Sequence, residues 1–86
     1  MSAYEIIVSE AFAKEMKKLE PQLRERIKKK LRIAAENPFA YFEKLQGSEL
    51  FKLRVGKHRI IAQISVPKKQ ITALSVGHRK NVYDKL

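Results

Sequence analysis

Between Leu50 and Val76 the sequence alternates apolar and polar residues in three runs, LFKLRV, HRIIAQISV and QITALSV. Only Gly56-Lys57 and Pro67-Lys68-Lys69 separate them. Alternation of this kind is the signature of strands with one buried face. Links of two or three residues can join only antiparallel neighbours, because a parallel pair needs a crossover of about a dozen residues or more. The C-terminal half is therefore expected to be a three-stranded antiparallel meander.

The N-terminal half reads differently. Ala3 to Val8 (AYEIIV) is short, β-branched and aromatic, and predicts a further strand. Ser9 is placed to cap a helix whose Phe12, Met16 and Leu19 recur at helical spacing. Glu20-Pro21 breaks that helix, and Pro21 suits the first turn of the next. The second helix is expected to run to Glu36 with Leu23, Ile27, Leu31 and Ala34 as its apolar stripe, and to stop at Asn37-Pro38. Phe39 to Ser48 is expected to connect it to the meander, anchored by Tyr41, Phe42 and Leu45, with Gly47 permitting a turn. With 86 residues the chain has room for one domain. The expected fold is α+β: an N-terminal strand, then a two-helix antiparallel hairpin packed on a mainly antiparallel sheet, then a short basic C-terminal segment, all in one domain over residues 1–86.

The net charge of +10 is unevenly placed. Residues 1–43 carry nine basic and seven acidic side chains, whereas residues 44–86 carry ten and two. The meander half is thus the one expected to meet a polyanion, nucleic acid first among such partners. Without cysteine there is no disulfide framework or thiolate metal site, which fits a reducing cytoplasm. Two histidines are too few for an ordinary zinc site unless carboxylates join them. No targeting or membrane-spanning segment, phosphate-binding glycine loop or serine-nucleophile motif is present. The expectation is a cytoplasmic protein needing no cofactor or metal.

Strand parity sorts the remaining residues. With regular pairing, Phe51, Leu53, Val55, Ile60, Ile64, Leu74 and Val76 share the face under the helices. Lys52, Arg54, Arg59, Gln63, Ser75 and Arg79 share the other, a face with four cations and no acid. Such a face is either ordinary solvated sheet surface or a site for a polyanion, and clustering without acidic partners favours the second. Lys28-Lys29-Lys30 on the second helix points in three directions and reads as solvated surface. His58 has the parity opposite to Arg59 and reads as structural. His78, beside Arg79 and close to Asn81 and Tyr83, is the better candidate for acid–base work.

Taken in order, the segments KLQG (44–47), FKLRV (51–55), KHRII (57–61), VGHR (76–79) and Val82-Tyr83 resemble the RelE branch of the RelE/ParE toxin superfamily over nearly the whole chain. The resemblance implies a microbial-ribonuclease-like sheet with two N-terminal helices. It implies the toxin of a type II toxin–antitoxin system, a metal-independent endoribonuclease that enters the ribosomal A site, contacts ribosomal RNA and cuts the mRNA there. In it Lys52 and Arg54 match the basic pair of the first central strand. Arg59 matches the arginine that binds phosphate and stabilises the transition state, and Arg79 the arginine near the leaving group. Tyr83 matches the tyrosine that stacks on a base. Lys44, Lys57 and Lys80 would add RNA contacts, and His78 would be an auxiliary acid or base. The implied reaction is in-line attack of a 2′-hydroxyl on the adjacent phosphorus, with Lys52 or His78 as proton acceptor. The implied partner is an acidic antitoxin; no membrane is involved. Two other readings share the fold: a ParE-like DNA gyrase inhibitor, and a non-catalytic RNA- or ribosome-binding module.

Overall fold

The computed structural model describes residues 3–78. The chain forms β1 (Glu5–Val8), α1 (Glu10–Lys17), α2 (Pro21–Glu36), α3 (Pro38–Tyr41), β2 (Glu43–Lys44), β3 (Phe51–Val55), β4 (His58–Ser65) and β5 (Gln70–His78). The strands make one sheet in the order β1-β5-β4-β3-β2. All neighbours are antiparallel except β1 and β5, which run parallel. The expected α+β architecture and the meander are both present. Two elements fall in the segment expected only to connect. One is α3, a single turn started by Pro38. The other is β2, which pairs Glu43 with Lys52 and Lys44 with Phe51. Phe42 between them is buried as expected, whereas Tyr41 is exposed rather than an anchor.

The local signals act as the residues suggest. Ser9 Oγ accepts from the Phe12 N–H at 3.0 Å and so caps α1. Pro21 opens α2, and Arg24 Nη1 donates to the Leu19 carbonyl at 2.7 Å, closing the link between the two helices. Phe12 and Met16 of α1 and Ile27, Leu31, Ala34 and Ala35 of α2 pack on Leu53, Val55, Ile60, Ala62, Ile71, Ala73 and Val76 of the sheet. Ile27, Leu53, Ile60 and Ile71 are among the largest fully buried side chains, each worth about 1.5–3 kcal/mol of burial.

The expected core departs from the structure at Leu74. The ladder between β4 and β5 shifts between Ile61 and Ala62, so that Ile61 faces Ser75 while Ala62 faces Ala73. Leu74 is the extra residue of a β-bulge and is left out of the core. Residues before it change parity: Ile71 and Ala73 join the core together with Val76 beyond the bulge. The reason lies in α1. β1 pairs with β5 only as far as Ala73, and α1 continues along the same edge. There Ser9 Oγ donates to the Leu74 carbonyl at 3.0 Å, and the Val76 N–H donates to Glu15 Oε1 at 2.9 Å. Side chains of α1 thus satisfy backbone groups that a bulge and a missing strand would leave open.

Among the described residues no helix is long and apolar enough to cross a membrane.

Candidate active site

The face away from the helices is set by the β3–β4 register, in which Lys52 opposes Ile61 and Arg54 opposes Arg59. Because Leu53 and Ile60 point into the core between them, Lys52, Arg54 and Arg59 share the opposite face. On β5, Ser75 lies opposite Ile61 and Gly77 opposite Arg59. The bulge leaves this part of the parity expectation intact, since Ser75 and Gly77 lie beyond it.

The face is not a plain solvated one. Arg54 is exposed and Lys52 half-buried, but Arg59 is only 4% exposed and Ile61 is fully buried, outside the main core. The expectation that Arg59 is displayed to solvent is corrected: it has the expected facing but is nearly enclosed. A charge held at that depth is costly without partners, and Arg59 does have an interaction within the protein.

The face also holds an acid that parity of the three long strands did not include. Glu43 of β2 stands directly opposite Lys52, with Oε1 3.7 Å from Lys52 Nζ. The Glu43 side chain is 76% exposed, so a substrate can reach it. The available signal was weak, because a two-residue strand has no periodicity to read. The expectation of a face without acids therefore fails at Glu43.

The histidines lie elsewhere. His58 and His78 are direct partners across β4 and β5, with ring centroids 5.8 Å apart in an edge-to-face arrangement. They have the parity of Val55 and Val76, towards the helices, so His78 is not brought onto the face of Lys52, Arg54 and Arg59. Burial, then the charges of His78 and Arg26, hold the His58 pKa below its ordinary value. Lys44 is exposed on β2 and Lys57 is exposed in the β3–β4 turn. Arg79, Lys80 and Tyr83 lie outside the described residues. No group of three or more metal-ligating side chains occurs among the described residues. An apolar cleft of about 570 Å³ between β1, α1 and α2 lies on the helix side of the sheet, away from these cations.

Chemically, the arrangement offers the exposed Arg54 guanidinium and the half-buried Lys52 ammonium on one side, with the nearly enclosed Arg59 charge behind them and an accessible carboxylate at the rim. That combination can bind a phosphodiester and can accept a proton beside it. Residues 6–83 match the family model for the ParE toxin of type II toxin–antitoxin systems. The chain belongs to the RelE/ParE family of type II toxins. Within this family it is similar to an arginine-to-alanine double variant of E. coli toxin RelE in the free state. That match has 31% identity and a TM-score of 0.80, over 96% of this chain and 93% of the other. The isolated E. coli RelE toxin gives 32% identity and a TM-score of 0.76, over 96% and 94%. The Mycobacterium tuberculosis RelBE2 toxin–antitoxin complex shares the fold, with 20% identity and a TM-score of 0.85 over 92% of this chain and 94% of that one. No curated protein sequence matches the chain.

Proposed function

We propose that this RelE/ParE-family toxin cleaves mRNA in the ribosomal A site and so inhibits translation. The observation that carries the reading is the direct opposition of Arg54 and Arg59 on one face, with Lys52 one row along. Like charges placed opposite one another across strands are unfavourable for the fold, by about 0.2–1 kcal/mol. A site that concentrates negative charge gives such a placement a use. In-line attack by a 2′-hydroxyl makes a phosphorane with excess negative charge on its oxygens, and preorganised cations stabilise it more than they stabilise the starting diester.

The balanced step uses the groups on this face. Glu43 takes the 2′-hydroxyl proton, the 2′-oxygen bonds to phosphorus, and the bond from phosphorus to the 5′-oxygen breaks. The leaving 5′-oxygen takes a proton from solvent water, to which Glu43 later returns its own, giving a 2′,3′-cyclic phosphate and a 5′-hydroxyl. Lys52, Arg54 and Arg59 balance the charge on the phosphorane. A carboxylate is already a proton acceptor at neutral pH, whereas a lysine must first lose its proton, so Glu43 suits the base role better than Lys52. His78, with the facing of His58, suits it less. Arg79 beside the leaving group and Tyr83 stacked on a base complete the reading taken from the family resemblance. Dependence on the 2′-hydroxyl restricts the reaction to RNA.

The partner in this reading is an acidic antitoxin. The structure of the E. coli RelBE toxin–antitoxin complex supports a cognate antitoxin partner. The apolar cleft offers Phe12, Met16 and Leu31 rimmed by Lys17, Arg24, Lys28 and Arg32, which suits an amphipathic segment with acidic flanks.

Primer extension on a defined mRNA tests the proposal, with programmed ribosomes, with naked mRNA, and with the Arg79→Ala and Glu43→Gln variants on ribosomes. Cuts within the A-site codon that need the ribosome and vanish in the variants support it. A second reading comes from the matching model's own family, the ParE toxins. Folded protein that leaves mRNA intact but inhibits DNA gyrase, with Arg79→Ala as potent as wild type, would establish that reading instead.

A further inference from the structure

β2 pairs only with Phe51 and Lys52, so from Leu53 to Val55 the outer side of β3 has no strand partner among the described residues. α2 runs beside this open edge, and between them lies a groove of about 310 Å³. Four cations line it: Arg26, Lys29 and Lys30 from α2, and Arg54 from β3. No carboxylate lines it. Glu25, one turn before Lys29, is ion-paired with Lys28 on the neighbouring face of the helix. Gly56 turns the chain at one end of the groove, its φ of +60° being a conformation that favours glycine. A Cβ there would sit 3.4 Å from Arg26 Nη2.

One exposed aromatic ring lies beside a cation of the groove, and a second exposed ring stands two residues before it in α3. Lys30 Nζ lies 5.3 Å from the centre of the Tyr41 ring. Phe39 is held edge-to-face against Phe51, with ring centroids 5.8 Å apart, yet remains 53% exposed. Exposed aromatic surface near a row of cations suits the holding of an RNA strand. The cations track phosphates and the rings stack on bases, with little sequence preference. An acidic protein segment would satisfy the cations equally well, but exposed aromatic rings nearby favour bases. The Lys28-Lys29-Lys30 run, read from the sequence as solvated surface, is divided by the structure: Lys28 faces Glu25, while Lys29 and Lys30 face the groove.

We propose that the groove between α2 and the open edge of β3 is a second RNA-binding surface, joined to the cleavage face through Arg54. It holds RNA backbone beyond the cleaved dinucleotide, and so sets affinity rather than the rate of the chemical step. The inference rests on the RNA-cleaving reading above.

The test separates the two. A labelled single-stranded RNA with 2′-O-methyl groups, which cannot be cleaved, is titrated with wild type, with Lys29→Ala/Lys30→Ala and with Phe39→Ala/Tyr41→Ala across a range of salt. The two lysines lie on the helix surface and do not build the cleavage face, and a thermal melt checks folding. The lysine variant should bind about tenfold more weakly at low salt, with a salt slope shallower by about 1.4, the value for two lost phosphate contacts on a single strand. The aromatic variant should lose affinity with an unchanged slope. On ribosomes, the lysine variant should need more protein for half-maximal cleavage but keep the wild-type maximal rate. Wild-type affinity and slope in both variants, with wild type binding and cleaving normally, overturn this surface and leave the cleavage reading standing. Loss of binding to an acidic partner protein, with RNA binding intact, overturns it in favour of a protein interface. Folded wild type that binds no RNA and cuts none overturns both.

Discussion

Arg54→Gln should make the protein more stable and less active. Arg54 is exposed, lies directly opposite Arg59, and has Lys52 two residues before it on the same face. Residues two apart on a strand are separated by about 7 Å. Two unit charges at that distance in water repel by roughly 0.6 kcal/mol, and the directly opposed pair adds an amount within about 0.2–1 kcal/mol. Some of this is already offset inside the protein, because Arg59 and Lys52 have partners of their own. A net gain of about 0.5–1 kcal/mol is expected for the variant at low salt. For a domain of this size that raises Tm by roughly 2–8 °C. The same substitution removes a cation from the phosphorane and should slow cleavage on ribosomes by about 10²–10³-fold. Thermal melts at low salt and near 1 M salt, where the screening length falls to about 3 Å, identify the cause, since an electrostatic gain must shrink as salt rises. A lower Tm for Arg54→Gln at low salt would refute the reasoning, because Arg54 would then be supporting the fold rather than opposing it.

Three further outcomes follow from named contacts. Glu43→Gln should leave the unfolding free energy within about 0.5 kcal/mol of wild type, as the ion pair with Lys52 is exposed on the glutamate side, while single-turnover cleavage falls by about 10²–10⁴-fold; near-wild-type cleavage would remove Glu43 from the proton-acceptor role. Glu15→Ala leaves the Val76 N–H without its carboxylate acceptor and should cost about 1.5–3 kcal/mol by urea denaturation, with Glu15→Gln recovering much of it. The depressed pKa of His58 makes stability depend on pH in a fixed direction. Above the unfolded value of about 6.5 the imidazole is neutral in both states. As pH falls from there through the folded value, the unfolded chain takes up the proton first and stability declines. Denaturation midpoints measured down that range should fall more steeply for wild type than for His58→Gln, and equal slopes would show that His58 contributes nothing.

How far the sequence reaches differs from residue to residue. Ser9, Pro21, Gly56 and the alternating runs act through neighbours close in the chain, so their outcomes were legible directly. Lys52, Arg54 and Arg59 were placed on one face correctly because β3 and β4 pair without irregularity. Leu74 was misplaced because the bulge depends on Ser9 and Glu15, which reach it from more than sixty residues away. No local pattern around Leu74 encodes that. Glu43 was missed for a related reason: β2 exists through pairing with β3, not through propensity of its own. Asn37-Pro38 was read as the end of a helix, which it is, but the same proline also starts α3. The depth of Arg59 was likewise not legible, since parity gives a side chain's direction and not what surrounds it.

The parallel pairing of β1 with β5 has a consequence for how the molecule comes into being. Glu5 and Gln70, joined by a hydrogen bond, are 65 positions apart in sequence, so among the described residues β1 is paired only by β5, which is made much later. Loop-closure entropy makes so distant a pairing slow to form. A nascent chain that stops short of β5 has neither a closed core nor the bulge that α1 locks. β5 also flanks β4, the strand that carries Arg59, so the cationic face is left unsupported on that side. Folding of the cationic face is thus tied to synthesis of β5: a fragment ending before Gln70 lacks the strand that pairs with both β1 and β4.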